Sequence, residues 1–478
     1  MSVAIGQLDA PPDARAVWTL VVERMRPIAA IAIGAALTGA ATGTRAPLLG
    51  IWVPALLAFL VPWGRDRAHR MAARAGLSMF AVCILVGGLI AAYQTAMFGT
   101  NVDAEGLQEI SLWYDLARQG FAVDPELSVN APYALFVWRA AYAAAAEANL
   151  GDGIWIAIAT NALLVALSAA VLVRISMMLF PEDWQRADRA GRLARWCAMF
   201  WLFGALWVRD SFALLMQVVV LAAFVSLLRR VTFRRLVTHG TVIAIVAVLT
   251  AGIRAEMLAA FPVLLLLAVL SVALQGHGIR RVALLAAGAL VSLVVLFYSV
   301  NEVRSTITTA QASYVRALSS NGPTGISGLG YSLVVSQPLP VRLVTGFVYM
   351  HVFPIPVWTG FHFSSWGYHW LKSFSAIFMI LVAPLAAVGF WHAMRDAAHG
   401  YSRTAPLTFV ALYWPTMTAA VAVTSLETRH LGQFLPAFIL LAVVPDLRQL
   451  RDRRAIYAVA FVWYSAVLCG HLLWMVVH

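Results

Sequence analysis

The chain has 478 residues, 62% of them hydrophobic and only 12% charged, with a mean hydropathy of +0.81. Soluble globular proteins carry about 25% charged residues, so a water-soluble array of domains is excluded and a bilayer must receive the apolar surface, at roughly 20 residues per crossing helix. The net charge of +12 is spread as arginines over many short loops, which fits retention of basic loops in the cytoplasm and excludes a nucleic-acid binder that needs one basic face.

Residues 1–74 are expected to form a cytoplasmic N-terminal segment and a two-helix hairpin, with apolar runs at 27–43 and 47–63. The first residues lack a charged stretch leading directly into an apolar core, so no cleavable signal peptide is predicted. Arg65, Arg67, Arg70 and Arg74 follow this hairpin. The principal membrane module is placed at 75–455 and begins with a helix at 75–94. A long loop at about 95–152 comes next and is acidic, with Asp103, Glu105, Glu109, Asp115, Asp124, Glu126, Glu147 and Asp152 against Arg118 and Arg139. Within it, 107–119 reads as an amphipathic helix, and the apolar stretch 131–148 suits a helix lying in the interface plane.

Further apolar runs fall at 153–178, 194–208, 211–228, 239–252, 255–274 and 282–300. A second long loop, about 301–370, is rich in Gly, Ser, Pro and aromatics, and 343–358 is apolar enough for another interfacial helix. Runs at 371–392, 405–424, 431–446 and a C-terminal helix within 456–478 complete about thirteen predicted helices. The arginine clusters at 186–195, 229–235, 280–281 and 448–454 each follow an even-numbered helix, so the N-terminus and these loops are predicted cytoplasmic, and both long loops and the C-terminus external. The fold class is therefore an all-α polytopic membrane protein with two structured external loops containing juxtamembrane helices. The bias of arginine over lysine (Lys372 is the only lysine) fits a GC-rich bacterial genome and hence an inner-membrane location. Cys83, Cys197 and Cys469 lie far apart in apolar runs and imply neither a disulfide framework nor a zinc site.

Four external helix ends pair an arginine with a carboxylate within three residues: Arg209 with Asp210, Arg254 with Glu256, Arg304 with Glu302, and Arg429 with Glu427 beside His430. Charge at a membrane boundary is expensive and marks a functional candidate. One reading is four satisfied ion pairs in tight turns. The other is a polar cavity in one layer, with Arg209, Arg254, Arg304 and Arg429 binding phosphate through the guanidinium fork, and with Asp210, Glu256, Glu427 and His430 orienting them or touching substrate. Asp103 and Glu105, just beyond a helix exit, are candidate general bases, since a carboxylate at a membrane–water boundary can hold a raised pKa. Tyr114 and Trp366 are candidate sugar contacts, although the aromatics around 358–370 also suit an interfacial belt. His351, His362 and His369 have no recognised ligand spacing, so no metal site or cofactor is predicted, and a divalent ion is compatible but not indicated. Ser319–Ser327, rich in Gly, Ser and Asn, reads as an ordinary loop, a lid over the site or a phosphate-cradling loop, in that order.

The early Asp-Ala-Glu element followed by WYDLARQG, the Pro132-Tyr133 start of the next stretch, VRDSFALL at 208–215 and LETRHLGQFLPAF at 426–438 resemble the GT-C superfamily of integral membrane glycosyltransferases. The resemblance covers roughly 75–450. It implies a polyprenyl-phosphate- or diphosphate-linked sugar as donor, a glycan, lipid or protein acceptor, and inverting transfer at the external face. On it, Asp103 matches the base position with Glu105 beside it, and Arg429 matches a late external arginine that binds phosphate. Two helices precede the resembling module, and the two acids are separated by Ala104, so either acid remains a candidate base. A lipid-linked oligosaccharide polymerase or ligase, and a lipid-linked-sugar flippase, are the competing readings.

Overall fold

The computed structural model describes residues 14–60, 66–102, 108–119, 121, 131–254, 257–258, 260–274, 334, 337–399, 404–424 and 427–477. Among them the helices are α1 (Ala14–Thr42), α2 (Ala46–Gly50), α3 (Trp52–Leu60), α4 (Arg67–Phe98), α5 (Gln108–Arg118), α6 (Pro132–Glu147), α7 (Trp155–Leu179), α8 (Trp184–Trp196) and α9 (Ala198–Ala205). They continue with α10 (Asp210–Arg229), α11 (Phe233–Ala251), α12 (Ala260–Ala273), α13 (Leu339–Val352), α14 (Gly367–Ala398), α15 (Ala405–Thr424), α16 (Thr428–Gly432), α17 (Leu435–Ala442) and α18 (Leu450–Val477). A 3-10 turn occupies Val357–Gly360, and no strand occurs among the described residues. Eight helices are long and apolar enough to cross a bilayer: α1, α4, α7, α10, α11, α14, α15 and α18. The chain is a helical, membrane-embedded protein.

Hydropathy predicted single crossings at 194–208 and 431–446, and the structure corrects both. The first divides into amphipathic α8, a break at Cys197 with extended backbone, and the eight-residue α9. At 1.5 Å per residue α9 rises about 12 Å, well short of the ~30 Å hydrocarbon core. The chain then runs extended from Leu206, and the Asn161 side-chain amide donates to the carbonyls of Leu206 (3.0 Å) and Val208 (3.1 Å). Non-helical backbone survives at membrane depth only where protein groups satisfy it, and Asn161 on α7 does so here. The second run divides into α16 and α17 because Pro436, in the first turn of α17, has no N–H to continue the preceding helix. The predicted span at 282–300 lies outside the described residues.

These two broken segments sit at the centre of the bundle. Residues 197–208 and 431–444 are almost all buried. The long helices surround them through small-residue contacts, as expected where lipid supplies no hydrophobic drive between helices. A Cβ at Gly88 of α4 would fall 2.9 Å from the Cα of Gly34 of α1, so both helices need glycine where they cross. Gly389 of α14 abuts the backbone of Leu441 of α17 in the same way. The two broken segments run antiparallel between the same two ends. At one end Arg189 of α8 donates to the carbonyls of Pro445 (3.1 Å) and Val443 (3.4 Å). At the other, Gln433 donates to Asp210 at 2.8 Å.

The Asp210 end is covered by α5 and α6. Helix α5 buries Ile110, Trp113 and Ala117, one face at helical spacing. The Tyr133 N–H at the start of α6 donates to the Gly252 carbonyl (3.1 Å), tying α6 to the exit of α11. Trp207, just before α10, is wrapped by Tyr114 (5.4 Å between centroids), Trp138 (5.5 Å) and Tyr142 (5.6 Å). The first long loop therefore packs its helices onto the turn that carries Arg209 and Asp210.

Candidate functional site

The charged turns meet one another. Asp210, at the first position of α10, is fully buried. Its Oδ1 accepts from Arg254 Nη2 at 2.8 Å and from Gln433 Nε2 at 2.8 Å, and its Oδ2 lies 3.8 Å from Arg429 Nη1. Neither arginine is sequence-adjacent to Asp210. The described contacts of Asp210 thus run between turns. Three of the four predicted turns, those of Asp210, Arg254 and Glu427–Arg429, converge. The fourth, with Glu302 and Arg304, lies outside the described residues, as do Asp103, Glu105 and Glu256.

Glu427 forms the second centre. Its carboxylate caps α16 by accepting from the Arg429 backbone N–H (3.5 Å), and it also accepts from the Tyr368 hydroxyl (3.0 Å) and pairs with Lys372 Nζ (3.2 Å). Tyr368 and Lys372 lie one turn apart at the start of α14. Burial would raise the Glu427 carboxyl pKa, but Lys372 and Arg429 outweigh it and hold the group below its ordinary value, so it is ionised. His430 is also buried. Burial, reinforced by Arg254, Arg429, Arg209 and Lys372, holds its imidazole well below the usual histidine value, so it is neutral. All four cations act on this one ring. Among the described residues the cluster sets them against two carboxylates, Asp210 and Glu427.

This arrangement is chemically suited to an anion. Two guanidinium groups are held against different oxygens of one buried carboxylate, and an arginine fork matches two phosphate oxygens. Lys372 adds a compact point charge on the Glu427 side. The first-loop segment leading toward Asp103 approaches the same region: Asn101 lines a small cavity together with Leu206 and Trp207.

The remaining expected contacts are placed differently. Tyr114 donates to the Asp152 carbonyl (3.3 Å) and packs edge-on against Trp207, so it braces α5 above the α10 turn. Trp366 is almost buried, and one ring face is covered by Phe98 at 4.1 Å between centroids, nearly parallel. That face is not open to a sugar, and the stack ties the exit of α4 to the start of α14. His351 is buried against Trp414 and Phe438. No group of three His, Cys, Asp or Glu side chains suited to a metal occurs among the described residues. Ser319–Ser327 lies outside them.

Sequence reasoning missed Lys372 and Gln433 as site residues, and it weighed Tyr368 only among the aromatics of 358–370, not as a hydroxyl donor to Glu427. Lys372 carried a usable signal, because a lone lysine at the mouth of an apolar helix is conspicuous. Gln433 carried none, since only the fold aims its amide at Asp210. Compared with family models, with characterised proteins and with solved structures, the chain matches none.

Proposed function

We propose that this chain is a multi-pass glycosyltransferase of the bacterial inner membrane that takes a polyprenyl-phosphate- or diphosphate-linked sugar and transfers the sugar, with inversion, to an acceptor at the external face. The observation that carries the reading is the convergence of Arg254 and Arg429 on buried Asp210, with Lys372 on Glu427 alongside, at one end of a helical membrane bundle. A lipid carrier keeps its tail among the helices, and its phosphate can meet such a cluster only at a bundle end. In this reading the N-terminus is cytoplasmic and the Asp210 end is external, following the arginine-rich loops at the opposite end.

The transfer would run as follows. An acceptor hydroxyl gives its proton to a first-loop carboxylate, Asp103 or Glu105, and its oxygen bonds to the anomeric carbon from the face opposite the phosphate. The bond between that carbon and the phosphate oxygen breaks, and the phosphate leaves with the electron pair. Arg209, Arg254, Arg429 and Lys372, with Arg304 as a further candidate, stabilise the charge that develops there. Fixed donors in a water-poor site are worth about 10²–10³ in rate. Asp210 and Glu427 keep the cations aimed.

A second reading draws on the broken segments α9 and α16–α17. Discontinuous helices at the centre of a bundle also occur in transporters, where they carry the substrate site near the midplane. Here the charged groups are instead at the segment ends, which favours the transferase.

The test is turnover by the purified protein in liposomes with a panel of polyprenyl-phosphate and polyprenyl-diphosphate sugars, including a lipid-linked oligosaccharide to register a polymerase or ligase. Product from a lipid-linked monosaccharide, reduced about 10²-fold or more in Arg429→Ala and in Asp103→Asn or Glu105→Gln, supports the proposal. Movement of the lipid-linked sugar across the bilayer with no new covalent product overturns it in favour of a flippase.

A further inference from the structure

At the end of the bundle opposite Asp210, a cleft of about 240 Å³ opens between α8, α14, α15 and α18. Its depth is set by α14. The stretch of α14 from Lys372 in the anion cluster to His392 in this cleft is about 30 Å at 1.5 Å per residue, which is the thickness of the hydrocarbon core. With Lys372 at one boundary of the hydrocarbon core, the cleft falls at the level of lipid headgroups at the other.

Its lining carries both signs in equal number: Arg186, Arg395 and Arg451 against Asp396, Asp446 and Asp452. Phe180, Leu407 and Val444 form an apolar floor. Asp452 is committed to the protein, because its Oδ1 lies 3.3 Å from His392 Nε2 and its Oδ2 accepts the Asp446 N–H at 2.8 Å. The other charges line the opening with local partners of their own: Arg186 pairs with Asp183 at 3.2 Å, and Asp446 accepts from the Arg448 N–H (3.0 Å) and from Gln449 Nε2 (3.3 Å). Asp396, paired with Arg395 at 3.2 Å, is one-third exposed, and Arg451 is exposed on the first turn of α18. Arg186 is held over the Phe180 ring at 4.4 Å. A balanced lining gives no net attraction for a simple anion or cation. It fits a ligand that carries both charges a few ångströms apart.

We propose that this cleft seats the headgroup of a zwitterionic phospholipid with a primary ammonium, its phosphate toward Arg186 and Arg451 and its ammonium toward Asp396 and Asp446. The guanidinium groups supply directed donors for phosphate oxygens. A primary ammonium has three N–H donors for the carboxylates, whereas a trimethylated ammonium has none. The apolar floor would meet the glycerol and first acyl carbons. The inference does not depend on the transferase reading, because it concerns the other end of the molecule.

Native mass spectrometry of the delipidated full-length protein, given equal amounts of ethanolamine, choline and glycerol phospholipids with matched chains, tests it. The expected result is retention of the ethanolamine lipid about 10-fold above the other two, corresponding to ~1.4 kcal/mol. That preference should fall at least several-fold in Arg451→Gln, at an exposed position, and in Asp396→Asn, at a partly exposed one, and unchanged thermal unfolding of both will show the fold intact. Preference for the glycerol lipid, equal retention of all three, or a preference surviving both substitutions overturns the proposal. Displacement of the lipid by free phosphoethanolamine at equal concentration would overturn the assignment to a lipid rather than a soluble zwitterion.

Discussion

Asp210 holds Arg254, Arg429 and Gln433 through two oxygens in a fully buried position, so its charge balances more than one neighbour. Removing one partner of a buried ion pair strands the other and costs about 3–5 kcal/mol. Asp210→Asn preserves the shape and removes only the charge. It is expected to lower unfolding stability by that amount in thermal melts of the detergent-solubilised protein, and a change below about 1 kcal/mol would contradict the central role given to this carboxylate. His430 and Glu427, in the connection between the α15 span and α17, set the pH response. Both have folded pKa values below their unfolded ones, so both contribute stability at higher pH that is lost as pH falls. For His430 the loss begins near the unfolded value of about 6.5, because the unfolded chain takes up a proton that the folded site refuses. The slope reaches at most about 1.4 kcal/mol per pH unit. For Glu427 the loss begins near about 4.3. Melts across pH 8 to 2.5 should therefore show two successive declines, the first absent in His430→Asn and the second absent in Glu427→Gln.

At the scale of elements, α18 shows how a peripheral helix is held in lipid. Only 6% of its apolar window is buried, so packing alone attaches it weakly. Its partner α14 contains Pro384, which has no N–H for the Ile380 carbonyl and crowds the adjacent turn. Trp463 Nε1 donates to that Ile380 carbonyl at 3.0 Å, and the Tyr464 hydroxyl donates to the Leu381 carbonyl at 3.0 Å. Helix α18 thus supplies donors to carbonyls at the proline of α14, where lipid offers none. Interhelical hydrogen bonds in membranes are worth roughly 0.6 kcal/mol on average and up to about 1.7. Trp463→Phe should cost an amount in that range. In a Pro384→Ala background, where the helix can satisfy Ile380 itself, the same substitution should cost less. A double-mutant cycle with no coupling between positions 384 and 463 would show that the hydrogen bond does not serve the proline site. Asn161 plays the corresponding part for the extended chain after α9, and Asn161→Ala is expected to cost about 1–3 kcal/mol by leaving Trp138 Nε1, which donates to Asn161 Oδ1 at 3.1 Å, buried without its acceptor and by removing one of the two donors to each of the Leu206 and Val208 carbonyls.

For the whole molecule, the sequence revealed what one dimension can carry. Arginine clusters and acid–arginine turns alternate along the chain, and that alternation marked three turns that do meet at Asp210. It could not reveal which turn faces which, because that depends on where helices cross, as at Gly34 with Gly88 and Gly389 with Leu441. Hydropathy also counted 194–208 and 431–446 as ordinary spans, since apolar composition does not distinguish a continuous helix from one broken at Pro436 or opened by the Asn161 amide. Trp366 suggested a sugar platform by its type and position, but Phe98, far away in sequence, takes its face. The two-ended character of the bundle can be checked directly. Helix α5 packs beside Trp207 at the Asp210 end, whereas α8 binds the Pro445 carbonyl at the other. Asp115 of α5 and Arg192 of α8 are both well exposed, with side chains 57% and 56% accessible. Cys83 and Cys197 are buried, and Cys469 is the exposed free thiol to remove as Cys469→Ser. In that background, the proposed topology, with the arginine-rich end cytoplasmic, predicts that Asp115→Cys reacts with a membrane-impermeant maleimide added to intact cells. Arg192→Cys should react only in inverted vesicles. Labelling of both positions from the same side would place Asp210 and the arginine-rich loops at one face, and no substrate anchored in the external leaflet could then be assigned to the cluster by topology.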